Sequence, residues 1–326
     1  MSHSHGRGLH SAGRSRFSMT RKMKIRTISD ELKKTYGQKV LKLSLTSGCT
    51  CPTRDGTKGW GGCSFCSQEG SGDFAAAGAC IEDQIRQAKA LVDAKFPKTM
   101  PVSDRKYIAY FQSFTNTYGS VTRLKALYEK VISRPEIFVL SIGTRPDCLP
   151  DEMIKMLADL NHIKPVWIEL GLQTIHEKTA ASFGRGYSLE IFEDAYARLK
   201  KAGLTVIVHV ILGLPGESEE DMLATVRYLG NLSPRLDGIK LHLLHILAGT
   251  RMEKEYREKP FPVMTMEEYT DLVVKCLQAL PEEIIIHRMT GDAPKRLLVA
   301  PMWSADKKKV LNLLQKKIRM AERTRF

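Results

Sequence analysis

The chain is 326 residues long, 43% hydrophobic, and carries 50 Lys and Arg against 36 Asp and Glu, a formal charge of +14. It can bury one large core as a single α/β domain, and it has neither an apolar run of the roughly 20 residues that span a membrane nor the apolar segment of a secretion signal. Its seven cysteines, an odd number in a large chain, read as reduced thiols and ligands rather than a disulfide framework, which implies a cytoplasmic protein with no membrane partner.

The charge is uneven. Residues 1–42 hold eleven Lys and Arg against two acids, residues 287–326 hold eleven against three, and the middle is slightly acidic. Basic ends on a near-neutral middle favour an anionic partner such as RNA, against the plainer reading of a solvated tail and a soluble helix face. Residues 1–26, Ser-, Gly-, His- and Arg-rich at their start, are expected to form a disordered basic tail in which His3 and His5 are not ligands.

Val40 to Leu45 alternates apolar and polar as a strand does and leads into a cysteine-rich loop. Apolar positions from Ile81 to Phe96 recur with a helical period, and Tyr107–Gln112 is a strand ending in Ser113-Phe114-Thr115-Asn116-Thr117. A helix near 120–132 precedes the strand Ile137–Ile142, which ends in Gly143-Thr144-Arg145-Pro146-Asp147, and a further helix starts at Pro150. The strand Val166–Leu170 runs into Gly171-Leu172-Gln173-Thr174, and a helix near 189–201 ends at Gly203. Thr205–Ile211 leads into Leu212-Gly213-Leu214-Pro215-Gly216-Glu217, after which Ser218-Glu219-Glu220-Asp221 opens a helix with an acidic first turn. Strands over 239–247 and 283–287 flank a helix at 265–280. This alternation predicts a parallel sheet wrapped by helices, either open or closed into a barrel, with its site where polar and glycine residues follow the strands.

Cys51, Cys63 and Cys66 lie in a loop broken by Asp55-Gly56, Gly59 and Gly61-Gly62, with Cys49 just before it. These residues favour turns and positive φ, so the loop folds back and brings Cys51 beside the Cys63/Cys66 pair. Clustered thiolates on such a loop make a metal site. Two metals fit the residues: zinc closed by all four cysteines, or a 4Fe-4S cluster on three, with one iron open for chemistry. His209, His242 and His245 read as ordinary core histidines, since residues three apart on a strand point to opposite faces. Cys80, Cys148 and Cys276 read as small core or surface residues.

Thr50-Cys51-Pro52-Thr53-Arg54-Asp55-Gly56, then Gly61-Gly62-Cys63 and Phe65-Cys66, resembles the cluster loop of the YhcC-like radical S-adenosylmethionine (SAM) proteins, which share the eleven-then-two cysteine spacing seen here. His287-Arg288-Met289-Thr290-Gly291-Asp292 also matches a segment of that family and suggests either substrate contact or a structural connection. The resemblance covers about residues 27–313. It implies a partial (β/α)6 TIM-like barrel over 27–260, with a C-terminal extension over 261–326 that includes a basic terminal helix. It implies a 4Fe-4S cluster on Cys51, Cys63 and Cys66, with Cys49 not a ligand. It also implies SAM as cofactor, a small electron donor such as flavodoxin or ferredoxin, and a 5′-deoxyadenosyl radical that takes hydrogen from an unidentified substrate. Phe65 falls within the cluster motif. Gly213 and Pro215 are placed at the adenine. Gln112, Ser113, Thr115 and Asn116 stand where the superfamily holds the SAM amino group, although the usual acid is missing. Arg145 suits the SAM carboxylate and Glu169 the ribose, with Gln173 closing the same strand as Glu169. A more distant resemblance to the radical SAM half of the elongator catalytic subunit keeps tRNA among the candidate substrates. The competing expectation is a zinc-stabilised RNA-binding protein without SAM chemistry.

Overall fold

The computed structural model describes residues 24–70, 72–75, 78 and 80–323. Most of the expected basic tail lies outside the described residues. The strands are β1 (Val40–Leu45), β2 (Lys106–Phe111), β3 (Ile137–Thr144), β4 (Val166–Gln173), β5 (Thr205–Leu212), β6 (Gly238–Leu243), β7 (Ile246–Leu247), β8 (Ile285–Arg288) and β9 (Leu298–Ala300). The helices are α1 (Ile28–Tyr36), α2 (Ile81–Val92), α3 (Val121–Ile132), α4 (Asp151–Asn161), α5 (Glu177–Ser182), α6 (Leu189–Lys201), α7 (Glu219–Gly230), α8 (Arg251–Glu258), α9 (Met266–Ala279) and α10 (Lys307–Arg323). No described helix is long and apolar enough to cross a membrane.

Seven strands form one parallel sheet in the order β1-β2-β3-β4-β5-β6-β8. Parallel neighbours require a crossover, and the helices between successive strands supply it. The sheet curls into a partial barrel, and side-chain alternation sorts its two faces. On β5, Val206, Val208, Val210 and Leu212 join the core beneath the helices, while His209 and Ile211 line the concave side. The expected helix start at Ser218 is a capping box: Ser218 accepts from the Asp221 amide, and the Asp221 carboxylate accepts from the Ser218 amide.

Two features depart from the expectations. The run 239–247 is not one strand: β6 stops at Leu243, and β7 leaves the sheet to pair antiparallel with β9. Residues beyond 260 are also not purely an appendage, because β8 pairs with β6 as the seventh strand of the main sheet. Trp303 Nε1 donates to the Met264 carbonyl at 2.9 Å, and α10 buries Val310 and Leu314, tying the C-terminal segment to the barrel.

The ends of β2 and β3 are pinned by fully buried Asn116. Its Nδ2 donates to the Phe111 and Gly143 carbonyls at 3.0 and 2.9 Å, and its Oδ1 accepts from Ser47 Oγ at 2.7 Å. Asn116→Ala leaves these groups unsatisfied in the core. It is expected to lower the unfolding free energy by about 3 kcal/mol in urea titrations.

Candidate active site

A cavity of about 270 Å³ opens at the C-terminal ends of the strands, bounded by the cysteine loop on one side and by the Arg288–Pro294 segment on another. Parallel α/β folds place their sites at this end.

The eleven residues between Cys51 and Cys63 fold outward as a small hairpin. Asp55 bridges Trp60, the Gly56 amide donates to the Gly59 carbonyl at 3.0 Å, and the Gly62 amide donates to the Thr53 carbonyl at 2.9 Å. The chain therefore returns to where it left, and Cys51, Cys63 and Cys66 line the same cavity. Arg54 braces the return by donating through Nη2 to the Cys66 and Ser67 carbonyls at 3.2 and 2.5 Å. A Cβ at Gly62 (φ +81) would lie 2.7 Å from Arg54 Nε, so the brace needs glycine there. Phe65 packs on Phe183 with ring centroids 5.2 Å apart, and Lys58 pins the hairpin to Asp147 at 2.7 Å. Burial, with the nearby Cys66 and Cys51, pushes the Cys63 thiol up to about 12 against the opposing pull of Arg145 and Arg54. Three thiols on one cavity, with two guanidinium groups beside them that favour the thiolate form, are a donor set of the kind that holds an iron–sulfur cluster.

Cys49 turns the other way. It is buried in the core, does not line the cavity, and its Sγ accepts from Arg123 Nη2 at 3.0 Å. The four-thiol zinc arrangement would need Cys49 beside the other three. Among the described residues no three His, Cys, Asp or Glu side chains converge as ligands of a single ion.

Below the cysteines a polar layer crosses the barrel, centred on Glu169 of β4. Its carboxylate accepts from Ser141 Oγ at 2.8 Å, His209 Nε2 at 2.8 Å, Lys42 Nζ at 3.3 Å and, at closer range, Lys240 Nζ. Lys240 also reaches the Tyr110 hydroxyl at 3.2 Å. Burial alone would raise Glu169, but Lys240, Lys42 and His209 outweigh it and hold the carboxylate well below its usual range. Burial, then Lys240, brings His209 down to about 4, so its ring is neutral at pH 7.

Of the residues singled out in the sequence, Phe65, Gln112, Thr115, Arg145, Glu169 and Gln173 line the cavity with the three cysteines. Ser113, Asn116, Gly213 and Pro215 do not. Asn116 is committed to backbone carbonyls, and the Gly213 amide faces Met222 Sδ at 3.0 Å. Arg145 forks onto Asp147 with two contacts of 2.9 Å and stacks 4.9 Å from the Tyr187 ring. Burial works against its charge, but Asp147 outweighs that and raises its pKa. Gln173 adopts φ 67, unusual outside glycine, where the β4–β5 register shifts. Sequence reading missed Lys240, Tyr110 and Tyr187. The usable signal was period two: Glu169-Gly171-Gln173, His209-Ile211 and Lys240-His242 set polar groups at alternate positions of otherwise apolar strands. His242 and His245 both line the cavity, contrary to the opposite-face expectation, because His245 lies beyond the end of β6, where strand alternation no longer holds.

Residues 56–229 match the Radical SAM superfamily model, and residues 236–320 match the Radical_SAM C-terminal domain. The chain is 41% identical over 292 residues to uncharacterized protein YtqA of Bacillus subtilis, covering 90% of this chain and 88% of that one. It is 36% identical over 274 residues to protein YhcC of Escherichia coli, covering 84% and 85%. In structure it resembles the archaeal Methanocaldococcus infernus Elp3 with an N-terminal deletion, at TM-score 0.62 and 18% identity, covering 85% of this chain and 63% of that one.

Glu169→Gln would leave Lys42 and Lys240 without their shared counter-charge and His209 without its charged acceptor. The expected loss is about 3–5 kcal/mol of unfolding free energy near pH 7. The Glu169 pKa is depressed on folding, so its ionised form stabilises the fold above the unfolded-state value. The gap between wild type and variant in denaturant titrations should narrow as pH falls below about 4.

Proposed function

This chain belongs to the radical SAM superfamily, and on that premise we propose that Cys51, Cys63 and Cys66 hold a 4Fe-4S cluster and that SAM occupies the cavity they line. The observation that carries this reading is the return of these three thiols to one cavity wall while Cys49 is held apart by Arg123. Three ligands leave one iron open, whereas a structural zinc site closes with four. When bound, the cluster would supply the low-potential electron that splits SAM into methionine and a 5′-deoxyadenosyl radical.

The chain's own residues position and shield the cofactor. Arg54 rigidifies the loop through its carbonyl contacts, and Phe65 on Phe183 closes the wall beside Cys66. Arg145, already oriented by Asp147 and Tyr187, presents a positive edge to the cavity for the SAM carboxylate. Gln112, Thr115 and Gln173 supply neutral hydrogen-bonding groups for the amino and ribose groups. Glu169 is fully engaged by its cations and Ser141, and its role is to anchor the polar floor. The barrel walls and the segment after β8 limit water around the radical.

A small electron donor would approach from the outer side of the cysteine loop, where Trp60 is 78% exposed on the hairpin. The exposed Lys308, Lys309, Lys316 and Arg319 on α10, whose first residue Lys307 pairs with the cavity residue Asp292, favour an RNA partner.

The test is purification without oxygen, followed by iron and sulfide analysis and a 5′-deoxyadenosine assay with dithionite and SAM. About four irons per chain and 5′-deoxyadenosine formation are expected. Cys51→Ala, Cys63→Ala and Cys66→Ala should each abolish both, and Cys49→Ala should keep both. One zinc per chain without SAM cleavage would overturn the reading.

A further inference from the structure

Three histidines at the barrel's inner edge are not explained by SAM chemistry. His242 Nε2 and His245 Nε2 are buried and have no hydrogen-bond partner among the described residues, although both rings border the cavity. The His242 ring packs at a tilt on that of His209, with centroids 5.0 Å apart, and His209 Nε2 is already engaged by Glu169. Buried polar nitrogens are nearly always bonded, and an orphan facing a cavity marks a position that a ligand completes.

The segment after β8 closes the same recess. A Cβ at Gly291 would lie 2.4 Å from His245 Cε1, so the loop backbone packs directly on that ring and glycine is required. Arg288 borders the recess and meets Asp292 at 3.3 Å, while Lys307 also holds Asp292 at 2.5 Å. Lys42, Arg288 and Lys307 therefore already outnumber Glu169 and Asp292, and Lys240 adds to the surplus when protonated. These cations are part-exposed, Lys307 the most at 49%, so the surplus sits around the rim of the recess, where it favours an anionic ligand. The surplus is small, which suits a singly charged group better than a doubly charged one. A flat carboxylate can take two parallel N–H bonds from a guanidinium and further bonds from imidazole N–H groups.

We infer that His242, His245 and Arg288 form a receptor for one carboxylate of the substrate, where β6 ends and the chain returns after β8. This deepens the reading above, resting on it only in taking the cavity as the place of reaction. The carboxylate would hold the substrate by an end that does not react, leaving a neighbouring C–H directed toward the cofactor.

The test titrates iron-loaded full-length protein with propionate at constant ionic strength while the melting temperature is followed. Propionamide, of the same shape without the charge, and inorganic phosphate form parallel arms. A saturable rise with propionate and none with propionamide is expected. Arg288→Gln and His242→Asn should each raise the half-saturating propionate concentration at least tenfold and leave SAM affinity unchanged. Arg288, 30% exposed, gives a variant that folds even if the histidine change does not. An equal response to propionamide, no saturable response, or a response preserved in Arg288→Gln would overturn the receptor. A stronger rise with phosphate would reassign it to a phosphate group and overturn the carboxylate. A parallel loss of SAM affinity would make it a cofactor subsite and overturn the inference likewise. The readout needs no radical chemistry, so a propionate response in protein that binds no iron would support the receptor while the cluster reading failed.

Discussion

One buried carboxylate organises the interior. Glu169 projects from the middle strand of a seven-stranded sheet into a space that apolar side chains would otherwise fill, and it stays ionised there because groups from β1, β3, β5 and β6 converge on it. An isolated charge at that depth would neutralise itself by taking up a proton. The network thus ties distant strands together and also makes the barrel floor polar. That polar floor separates a reaction chamber from an ordinary packed barrel centre.

The cysteine loop solves a different problem. Eleven residues between the first two thiols would scatter them if the segment wandered. The hairpin between Asp55 and Trp60 sends those residues outward and returns the chain beside its departure point, with Arg54 bonded across to the far side. Cys51 thus lines the same cavity as Cys63 and Cys66 despite the long spacing. Gly62 is part of that solution, since any side chain there would displace the arginine. Cys49, ahead of this hairpin, is buried in the core against Arg123 and has no place in the cavity.

The two halves of the cavity differ in character. Thiols, Arg145 and Gln173 face one another around the cysteine loop, whereas histidines, Arg288 and Asp292 gather where β6 ends and the chain returns after β8. The break in the 239–247 run creates the second half. Had that run continued as one strand, His242 and His245 would have pointed to opposite faces. By leaving the sheet at Leu244, the chain sets both rings on the same cavity and frees Ile246 and Leu247 to pair with β9.

Local pattern was enough for the strands, the helices, the parallel alternation and the cysteine loop, because each rests on period, turn residues or spacing within a short window. The Ser218 cap, the ends of β2 and β5 to within a residue, and the three cavity thiols are of this kind. The chain alone did not reveal that Asn116 is a strap and not a cofactor contact, that Lys240 and Lys42 share Glu169, or that residues beyond 260 return a strand to the sheet. Those outcomes depend on which strands become neighbours and which side of each faces the concave surface. Residues more than a hundred positions apart, such as Lys42 and Glu169, meet only after the sheet curls, so tertiary packing decided what the sequence left as separate polar residues in apolar strands.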